Sequence, residues 1–157
     1  MQKQKSYTVK EAQLLLERYC IYQDRCHVEV EKKLNDLNMI IEAKEHIIVH
    51  LIQHNFLNEE RFAKSFVRGK FNIKKWGKIK ITNALKQKKI STYNIKTALN
   101  EIDEDDYLET LEKLTLKKIA VTKEPNLYKK RKKVTDFLLQ KGYEFSVIIS
   151  VVNEQIK

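Results

Sequence analysis

The sequence predicts an all-α protein made of tandem helical units, and three observations lead to this fold class. Three glycines and one proline among 157 residues are few, since average usage would give roughly ten and eight, so turn chemistry is scarce. Apolar residues recur at helical spacing along the chain, and no stretch alternates convincingly as a strand. A similar apolar pattern also returns about every fifty residues, the range that indicates tandem helical units.

Nine helices follow from this periodicity and from residues that begin or end helices. Thr8 and Glu11 have the spacing of a capping box, Pro125 interrupts the backbone ladder, and Gly142 is typical of the position after a helix. The acidic run 103–106 suits a helix start, where carboxylates complement the dipole. The predicted helices cover about 8–22, 24–36 (opened by Asp24 or Cys26), 41–54, 58–72 (capped by Asn58), 75–88, 91–102 (capped by Ser91 or Thr92), 103–120, a stretch ending at Gly142, and a last one capped by Ser146.

Each predicted helix has one apolar stripe, which we expect to face the core. The stripes of the third, fourth and fifth helices comprise Ile47, Ile48, Leu51 and Ile52; Phe62, Ala63, Phe66 and Val67; and Ile81, Ala84 and Leu85. Trp76 is the only tryptophan and has two interpretations. Packing between helices is the commoner fate of such a residue, and stacking on a nucleobase is the alternative.

The internal repeat is read from three leucines that align without gaps, Leu34, Leu85 and Leu138. Residues at fixed offsets from them are also apolar, namely Val30, Ile81 and Val134 before them and Met39, Ile90 and Tyr143 after them. Each unit is then a longer helix followed by two shorter ones. Such arrays are elongated, because each unit packs mainly on its neighbours. We expect units at residues 8–57, 58–102 and 103–157.

Positive charge is concentrated in the middle of the chain. The protein has 31 basic and 21 acidic residues and a net charge of +10, yet residues 61–100 hold twelve basic residues and no Asp or Glu. The remainder of the chain is therefore slightly negative. Such a concentrated basic surface is expected of a protein that meets a polyanion. A solvated face of a lysine-rich protein is the alternative.

The fifth helix is predicted to present its cations along one face, opposite its apolar stripe. The residues of this face are Lys75, Lys78, Thr82, Lys86 and Lys89. Lysines in such a line can neutralise successive phosphates, giving salt-sensitive binding that tolerates different sequences. A second basic cluster, residues 129–133, lies near the start of the eighth helix. It either extends this surface or is an ordinary solvated run.

The sequence gives little support for an enzyme, a metal-binding protein or a membrane protein. His46, His50 and His54 share one predicted helix face, but neither they nor Cys20 and Cys26 have the spacing of a zinc site. There is no glycine-rich phosphate loop, nucleophile elbow or plausible carboxylate pair, so no catalytic residue, metal or cofactor is expected. No apolar run approaches the roughly 18 residues of a spanning helix. Two cysteines without a secretion signal suit a reducing cytoplasm.

The central segment also carries a recognisable motif. It reads Phe56-Leu-Asn-Glu-Glu-Arg-Phe-Ala-Lys-Ser-Phe-Val67, followed by Trp76-Gly-Lys-Ile-Lys-Ile-Thr-Asn-Ala-Leu-Lys-Gln-Lys-Lys-Ile90. This pair of segments resembles the signature of the RecX family. Residues 25–34 and 130–143 are similar to flanking motifs of that family, so the resemblance covers about residues 9–156. Asn55 and Lys89 stand where the family pattern has glycines, Cys26 where it has serine, and Asn58 where aspartate is commoner.

The resemblance implies a curved array of three three-helix repeats that regulates the RecA recombinase, chiefly as an inhibitor. It implies a cytoplasmic monomer that binds the groove of the RecA–DNA filament, limits strand exchange, ATP hydrolysis and co-protease activity, and binds single- or double-stranded DNA weakly. The expected contact residues are Arg68, Lys70, Lys74, Lys75, Lys78, Lys80, Lys86, Lys89, Lys129, Lys132 and Lys133. A helical module that binds nucleic acid without RecA is one alternative, and a purely structural repeat with solvated lysines is another.

Overall fold

A computed structural model describes residues 5–157 of the chain, and every regular element within that range is an α-helix. The predicted all-α class is therefore confirmed. The helices of the described range are α1 (Val9–Tyr22), α2 (His27–Asp36), α3 (Ile41–Gln53), α4 (Glu59–Asn72), α5 (Lys78–Gln87), α6 (Thr92–Leu99), α7 (Glu104–Val121), α8 (Leu127–Gln140) and α9 (Phe145–Gln155).

The helices pack in three consecutive groups of three, which we call unit 1 (α1–α3), unit 2 (α4–α6) and unit 3 (α7–α9). The first helix is the longest in each unit, with 14, 14 and 18 residues, as predicted. The accessible surface is 10515 Å², whereas a compact protein of 18.7 kDa would expose about 8,300 Å². The tandem array is therefore extended rather than compact.

The internal repeat is visible in the way the second helix of each unit ends. The three aligned leucines are fully buried: Leu34, Leu85 and Leu138. Four residues beyond each leucine the backbone turns left-handed, with φ of 58° at Asn38, 59° at Lys89 and 96° at Gly142. The next amide then donates to the leucine carbonyl, over 3.2 Å from Met39, 3.1 Å from Ile90 and 3.2 Å from Tyr143. All three units thus share one helix-ending motif, in which a left-handed residue lets the following amide donate to a carbonyl that would otherwise lack a partner.

Two predicted helix starts are wrong. α5 begins at Lys78 and not near Lys75, because Lys75 adopts a left-handed φ of 58° and the Trp76 amide donates to the Lys70 carbonyl over 3.0 Å. This turn ends α4, and Gly77 then serves as the N-cap of α5. The last helix begins at Phe145 after Glu144, two residues earlier than a Ser146 cap would place it.

Other boundary predictions are resolved by the structure. Cys26 and not Asp24 precedes α2, and the Glu29 carboxylate accepts from its amide over 3.1 Å. Ser91 and not Thr92 caps α6 through its hydroxyl. The predicted stripe of α3 is too wide, because Ile52 is 52% exposed. The buried face of α3 instead follows Ala43, Ile47 and Leu51.

The apolar core has two parts. Unit 1 has its own cluster, whereas units 2 and 3 share a single one that Cys26 of unit 1 also joins. Arg61 at the start of α4 connects units 1 and 2, since its guanidinium lies 2.7 Å from the Asp24 carboxylate and donates to the carbonyls of Asn55 and Phe56. Unit 2 therefore occupies the middle of the array with a partner on each side.

Candidate polyanion-binding surface

Most of the cations between residues 61 and 100 have no carboxylate beside them. Four are paired with acidic residues that lie outside this segment: Arg61 with Asp24 at 2.7 Å, Lys64 with Glu60 at 3.0 Å, Arg68 with Glu101 at 3.5 Å, and Lys78 with Glu104 at 2.6 Å. Within residues 5–157, no carboxylate comes within 4.0 Å of the other eight. These are Lys70, Lys74, Lys75, Lys80, Lys86, Lys88, Lys89 and Lys96.

Two of these lysines, Lys70 and Lys80, lie over the ring of Trp76. The ammonium groups of Lys70 and Lys80 lie 4.8 and 4.5 Å from the centre of its ring, within the range of a cation–π interaction. The ammonium of Lys141, from unit 3, donates to the Lys74 carbonyl over 3.3 Å. We call Lys70, Lys74, Lys80 and Lys141 with Trp76 the Trp76 cluster. Lysines that share one surface and have no carboxylate beside them favour an anion as their neighbour.

Trp76 itself packs as a structural residue. It is half-buried against the shared core of units 2 and 3, and its ring is covered by two lysine side chains. This packing against the core is what the first interpretation of Trp76 predicts. Burying part of the indole also fixes the positions of the lysines that lie over it.

The backbone of the Trp76 cluster is held by the joint between units 2 and 3. The amide of Gly77 donates to the Lys141 carbonyl over 2.8 Å, and the amide of Ile79 donates to the Gly142 carbonyl over 2.9 Å. The first amides of a helix have no acceptor within that helix. At the start of α5, two carbonyls at the end of α8 serve as those acceptors. The Tyr143 hydroxyl in turn donates to the Lys75 carbonyl over 2.9 Å.

Tyr107 satisfies a third amide at the start of α5. Its hydroxyl accepts from the Lys78 amide over 3.0 Å and donates to the Glu144 carboxylate. Its ring packs between Phe71 and Tyr143, with ring centres 5.8 and 5.1 Å away. Burial, followed by the hydrogen bond to Glu144, raises the pKa of the Tyr107 hydroxyl, and burial likewise raises the pKa of Tyr143. Both hydroxyls thus stay protonated as donors at neutral pH.

The two glycines at this joint allow close backbone contact. A Cβ on Gly77 would lie 2.3 Å from the Gly142 carbonyl carbon, and one on Gly142 would lie 2.2 Å from the Cβ of Lys80. Real Cβ atoms do not approach backbone this closely, so any larger residue would push α5 and α8 apart. The positions of Lys80 and Lys141 relative to each other depend on this contact.

The predicted line of cations on α5 is only partly correct. Lys78, Thr82 and Lys86 line one shallow groove with Glu144, as the helical spacing predicts. Lys75 and Lys89, however, lie outside α5 in left-handed turns at its two ends. Lys78 is also partly engaged, because its ammonium contacts Glu104 and lies 4.6 Å from the Tyr107 ring centre. Lys86 is the exposed cation of this line.

The second basic cluster is more neutralised than the first. Lys132 pairs with Asp136 at 2.9 Å and Lys133 with Glu124 at 3.1 Å, while Arg131 donates to the Ile156 carbonyl. Lys129 is exposed. At 1.5 Å per residue, α8 places this cluster about 12 to 18 Å from Lys141. The two basic regions thus lie at opposite ends of one helix.

The histidines and cysteines do not assemble a metal centre within residues 5–157, where no group of three or more His, Cys, Asp or Glu has a suitable arrangement. His50 lies 2.7 Å from the Glu17 carboxylate and its ring centre is 4.4 Å from that of His54. Cys20 and Cys26 are buried free thiols. Burial raises the pKa of Cys20 to about 11, which makes it a poor nucleophile.

The described part of the chain contains no helix of the length and apolarity that crossing a bilayer requires.

Sequence reasoning missed Lys141 and Glu144, which unit 3 contributes to the surface. Lys141 has a detectable signal, since the internal repeat aligns it with Lys88, and both residues are helix C-caps. The partner carboxylates Glu101 and Glu104 lie just past the end of the acid-free segment. Their reach back to Arg68 and Lys78 follows from the packing of the units, which spacing in sequence does not describe.

Comparison with known proteins assigns the central and C-terminal parts of the chain. The family profile described as RecX, second three-helix domain, matches residues 58–99, and the one described as RecX, third three-helix domain, matches residues 104–152. A regulatory protein RecX from Clostridium perfringens strain 13 is 32% identical over 126 residues, which cover 79% of this chain and 58% of that protein. One from Clostridium botulinum strain Alaska E43 is 35% identical over 128 residues, covering 80% and 59%. The chain thus spans less than two thirds of the length of these relatives.

Solved structures give the same assignment. The crystal structure of RecX from Lactobacillus salivarius matches with a TM-score of 0.83 and 26% identity, covering 93% of this chain and 95% of that one. A second crystal structure, of a regulatory protein RecX, matches with a TM-score of 0.80 and 26% identity over 92% and 74% of the two chains. With two tandem domain profiles matched and the fold shared over nearly its whole length, the chain belongs to the RecX family.

Proposed function

We propose that the protein regulates the RecA recombinase by binding the RecA–DNA filament through unit 2. The family assignment supports a regulatory role, and the fold agreement supports carrying over a mode of action that depends on shape. The observation that carries the proposal is the set of eight lysines in unit 2 without a carboxylate partner among residues 5–157. A filament offers DNA phosphates and acidic protein surface together, and such a surface attracts unpaired cations.

The proposed mode of action is inhibition from within the filament groove. An extended array that lies along the groove would occupy the path of the second DNA molecule and bridge successive recombinase subunits. Strand exchange, ATP hydrolysis and co-protease activity would then all decline together. The protein acts in this scheme by binding alone, as a cytoplasmic monomer without a catalytic residue or a cofactor.

The structure orders the proposed contact residues by how free their charges are. Lys74, Lys75, Lys86 and Lys89 are exposed, and Lys70 and Lys80 lie over Trp76. A lysine already paired with a carboxylate gains less from a new anion, so Arg68, Lys78, Lys132 and Lys133 should contribute less. Lys129 extends the surface along α8, and Lys141 is added to the contacts because it belongs to the Trp76 cluster.

The proposal is tested with purified RecA on single-stranded DNA. Adding the protein should lower the rate of ATP hydrolysis and the yield of strand exchange in a concentration-dependent way, and the protein should sediment with the filament. Unchanged hydrolysis and exchange at a molar excess of the protein would contradict the proposal. Stimulation of both reactions would keep RecA as the partner and reverse the sign of the regulation.

A nucleic-acid-binding role without RecA is the second candidate, because the same free lysines would bind DNA phosphates directly. This role predicts binding to duplex and single-stranded oligonucleotides that weakens steeply as salt rises. The distinguishing result is a comparison with and without RecA. Tight binding to bare DNA together with no effect on RecA would favour the second candidate.

A further inference from the structure

A groove of about 650 Å³ crosses the joint between units 2 and 3. Unit 2 contributes Lys75, whose left-handed turn is held by the Tyr143 hydroxyl. Unit 3 contributes one side of α7. The lining residues from α7 are Thr110, Lys113, Leu114, Leu116 and Lys117. The groove is separate from the Trp76 ring and from the groove on α5.

The lining combines an apolar floor with a cationic rim. Leu114 packs partly into the shared core, while Leu116 is 50% exposed and faces solvent. Of the three lysines, only Lys113 is paired, with Glu109 at 2.9 Å on the same helix. Lys75 and Lys117 have no carboxylate within 4.0 Å in the described chain. An occupant that uses the whole groove must therefore offer both apolar side chains and negative charge.

This combination favours a peptide over a nucleic acid. Proteins that hold single strands stack bases on aromatic side chains, and none of the lining residues is aromatic. Phosphates would satisfy the lysines and leave Leu116 uncovered. An acidic segment with apolar residues would cover Leu116 and place its carboxylates near Lys75 and Lys117, which is the usual way an amphipathic segment occupies a groove.

We infer that this groove docks an acidic, amphipathic segment of the protein partner. Because Lys75 belongs to unit 2 and α7 to unit 3, a bound segment would clamp the two units together and fix the spacing of the Trp76 cluster. The inference rests on the proposed function only for the identity of the partner, which would then be the recombinase. The docking chemistry stands on the groove itself.

The test measures binding of a short fluorescein-labelled peptide in which leucines alternate with pairs of glutamates, by anisotropy titration against the whole chain. Saturable binding is expected, with a loss of at least about tenfold in affinity for the Leu116→Asp variant and for the Lys117→Glu variant. The matched controls are Leu127→Asp, at a leucine that is 49% exposed on α8, and Lys10→Glu on the exposed face of α1. Neither control should change the affinity.

Three results of the peptide titration would overturn the inference. The peptide could fail to bind at millimolar concentration, it could bind both groove variants as it binds the unmodified chain, or a peptide with serines in place of leucines could bind equally well.

Loss of oligothymidylate binding in Leu116→Asp, without peptide binding, would assign the groove to nucleic acid instead. In a RecA ATPase assay, equal inhibition by the chain and by Leu116→Asp would refute the docking role alone. Absence of any effect of the unmodified chain on RecA would refute the proposed function alone.

Discussion

The contact between Gly77 and Gly142 is the tightest constraint at the level of single residues. Each lies where a Cβ would enter the backbone of the opposite unit or the side chain of Lys80. Gly69, within α4, offers a natural contrast, because a Cβ added there would meet nothing within 4 Å. Replacement by alanine should therefore change the free energy of unfolding in opposite directions at the two kinds of glycine.

We expect Gly77→Ala to lower the free energy of unfolding by about 3 kcal/mol, because overpacking against backbone forces the helices apart. Gly69→Ala should raise it by about 0.5 to 1 kcal/mol, since glycine weakens a helix interior. Urea denaturation followed by circular dichroism measures both changes. A neutral effect of Gly77→Ala would show that the joint between α5 and α8 can open without cost.

Lys89 carries a backbone cost that glycine would remove. Its φ of 59° is left-handed, a conformation that costs most residues about 1 to 2 kcal/mol, partly offset by the greater freedom of glycine in the unfolded chain. Lys89→Gly should therefore raise the free energy of unfolding by about 0.5 to 1 kcal/mol. Lys86→Gly, inside α5, is the control and should lower it by about 1 kcal/mol. A lower stability for Lys89→Gly would mean that its side chain makes a needed contact.

The folded protein should lose stability at alkaline pH, because burial raises the pKa of a thiol and of two tyrosine hydroxyls. Burial raises the pKa of Cys20 to about 11, whereas a thiol in an unfolded chain has a pKa of about 8.5. Between these values the unfolded chain releases a proton that the folded protein retains, so rising pH favours unfolding. The stabilising contribution is complete below about pH 8.5 and is lost as the pH rises through 11. The raised pKa values of Tyr107 and Tyr143 act in the same direction.

The melting temperature should consequently drop between about pH 8 and about pH 10.5. Cys20→Ala should show a smaller drop, even if its melting temperature is lower at every pH because of the smaller side chain. The comparison concerns the change with pH and not the absolute value. An equal drop in both proteins would assign the alkaline effect to the tyrosines alone.

Among the helices, the short α5 is the one whose first residue depends most on contacts with neighbouring elements. Its sequence has good helical periodicity from Lys75, and this predicted too early a start. The left-handed turn at Lys75 and the acceptors supplied by unit 3 decide where the helix begins. By contrast, α1 and α4 begin at their own caps, Thr8 and Asn58, and these starts could be predicted from the sequence.

The position of Trp76 next to α5 gives a direct optical report on the surface. Lys70 and Lys80 lie over its ring, so an anion that draws these ammoniums away should change the emission of the only tryptophan. We expect titration with an oligothymidylate to change this emission, with a midpoint that rises with salt. The control ligand is a neutral peptide nucleic acid of the same sequence. DNA binding by anisotropy with constant emission would place the contact away from the Trp76 cluster.

For the whole molecule, the sequence predicts the tandem array better than it predicts the surface. The aligned leucines, fully buried in all three units, carry the repeat and can be read directly. The site depends on which carboxylates reach the basic segment from other units. Glu101 and Glu104 neutralise Arg68 and Lys78 by forming ion pairs with them. Lys141, at the end of α8, adds a cation to the site. No spacing within one helix contains that information.

Binding of the recombinase filament by the free lysines of unit 2 can be tested by a charge-reversal comparison. The variant Lys74→Glu/Lys86→Glu changes two exposed residues outside any ion pair of the described chain. The control Lys10→Glu/Lys32→Glu makes the same charge change on exposed residues of unit 1. Both variants are to be checked for unchanged melting before use.

The measurement is the rate of RecA ATP hydrolysis on single-stranded DNA as a function of added protein. We expect the unit 2 variant to require at least about tenfold more protein for half-inhibition, because two contacts to a polyanion become repulsive. The unit 1 control should inhibit as the unmodified chain does. Equal half-inhibition by all three proteins would contradict filament binding through unit 2.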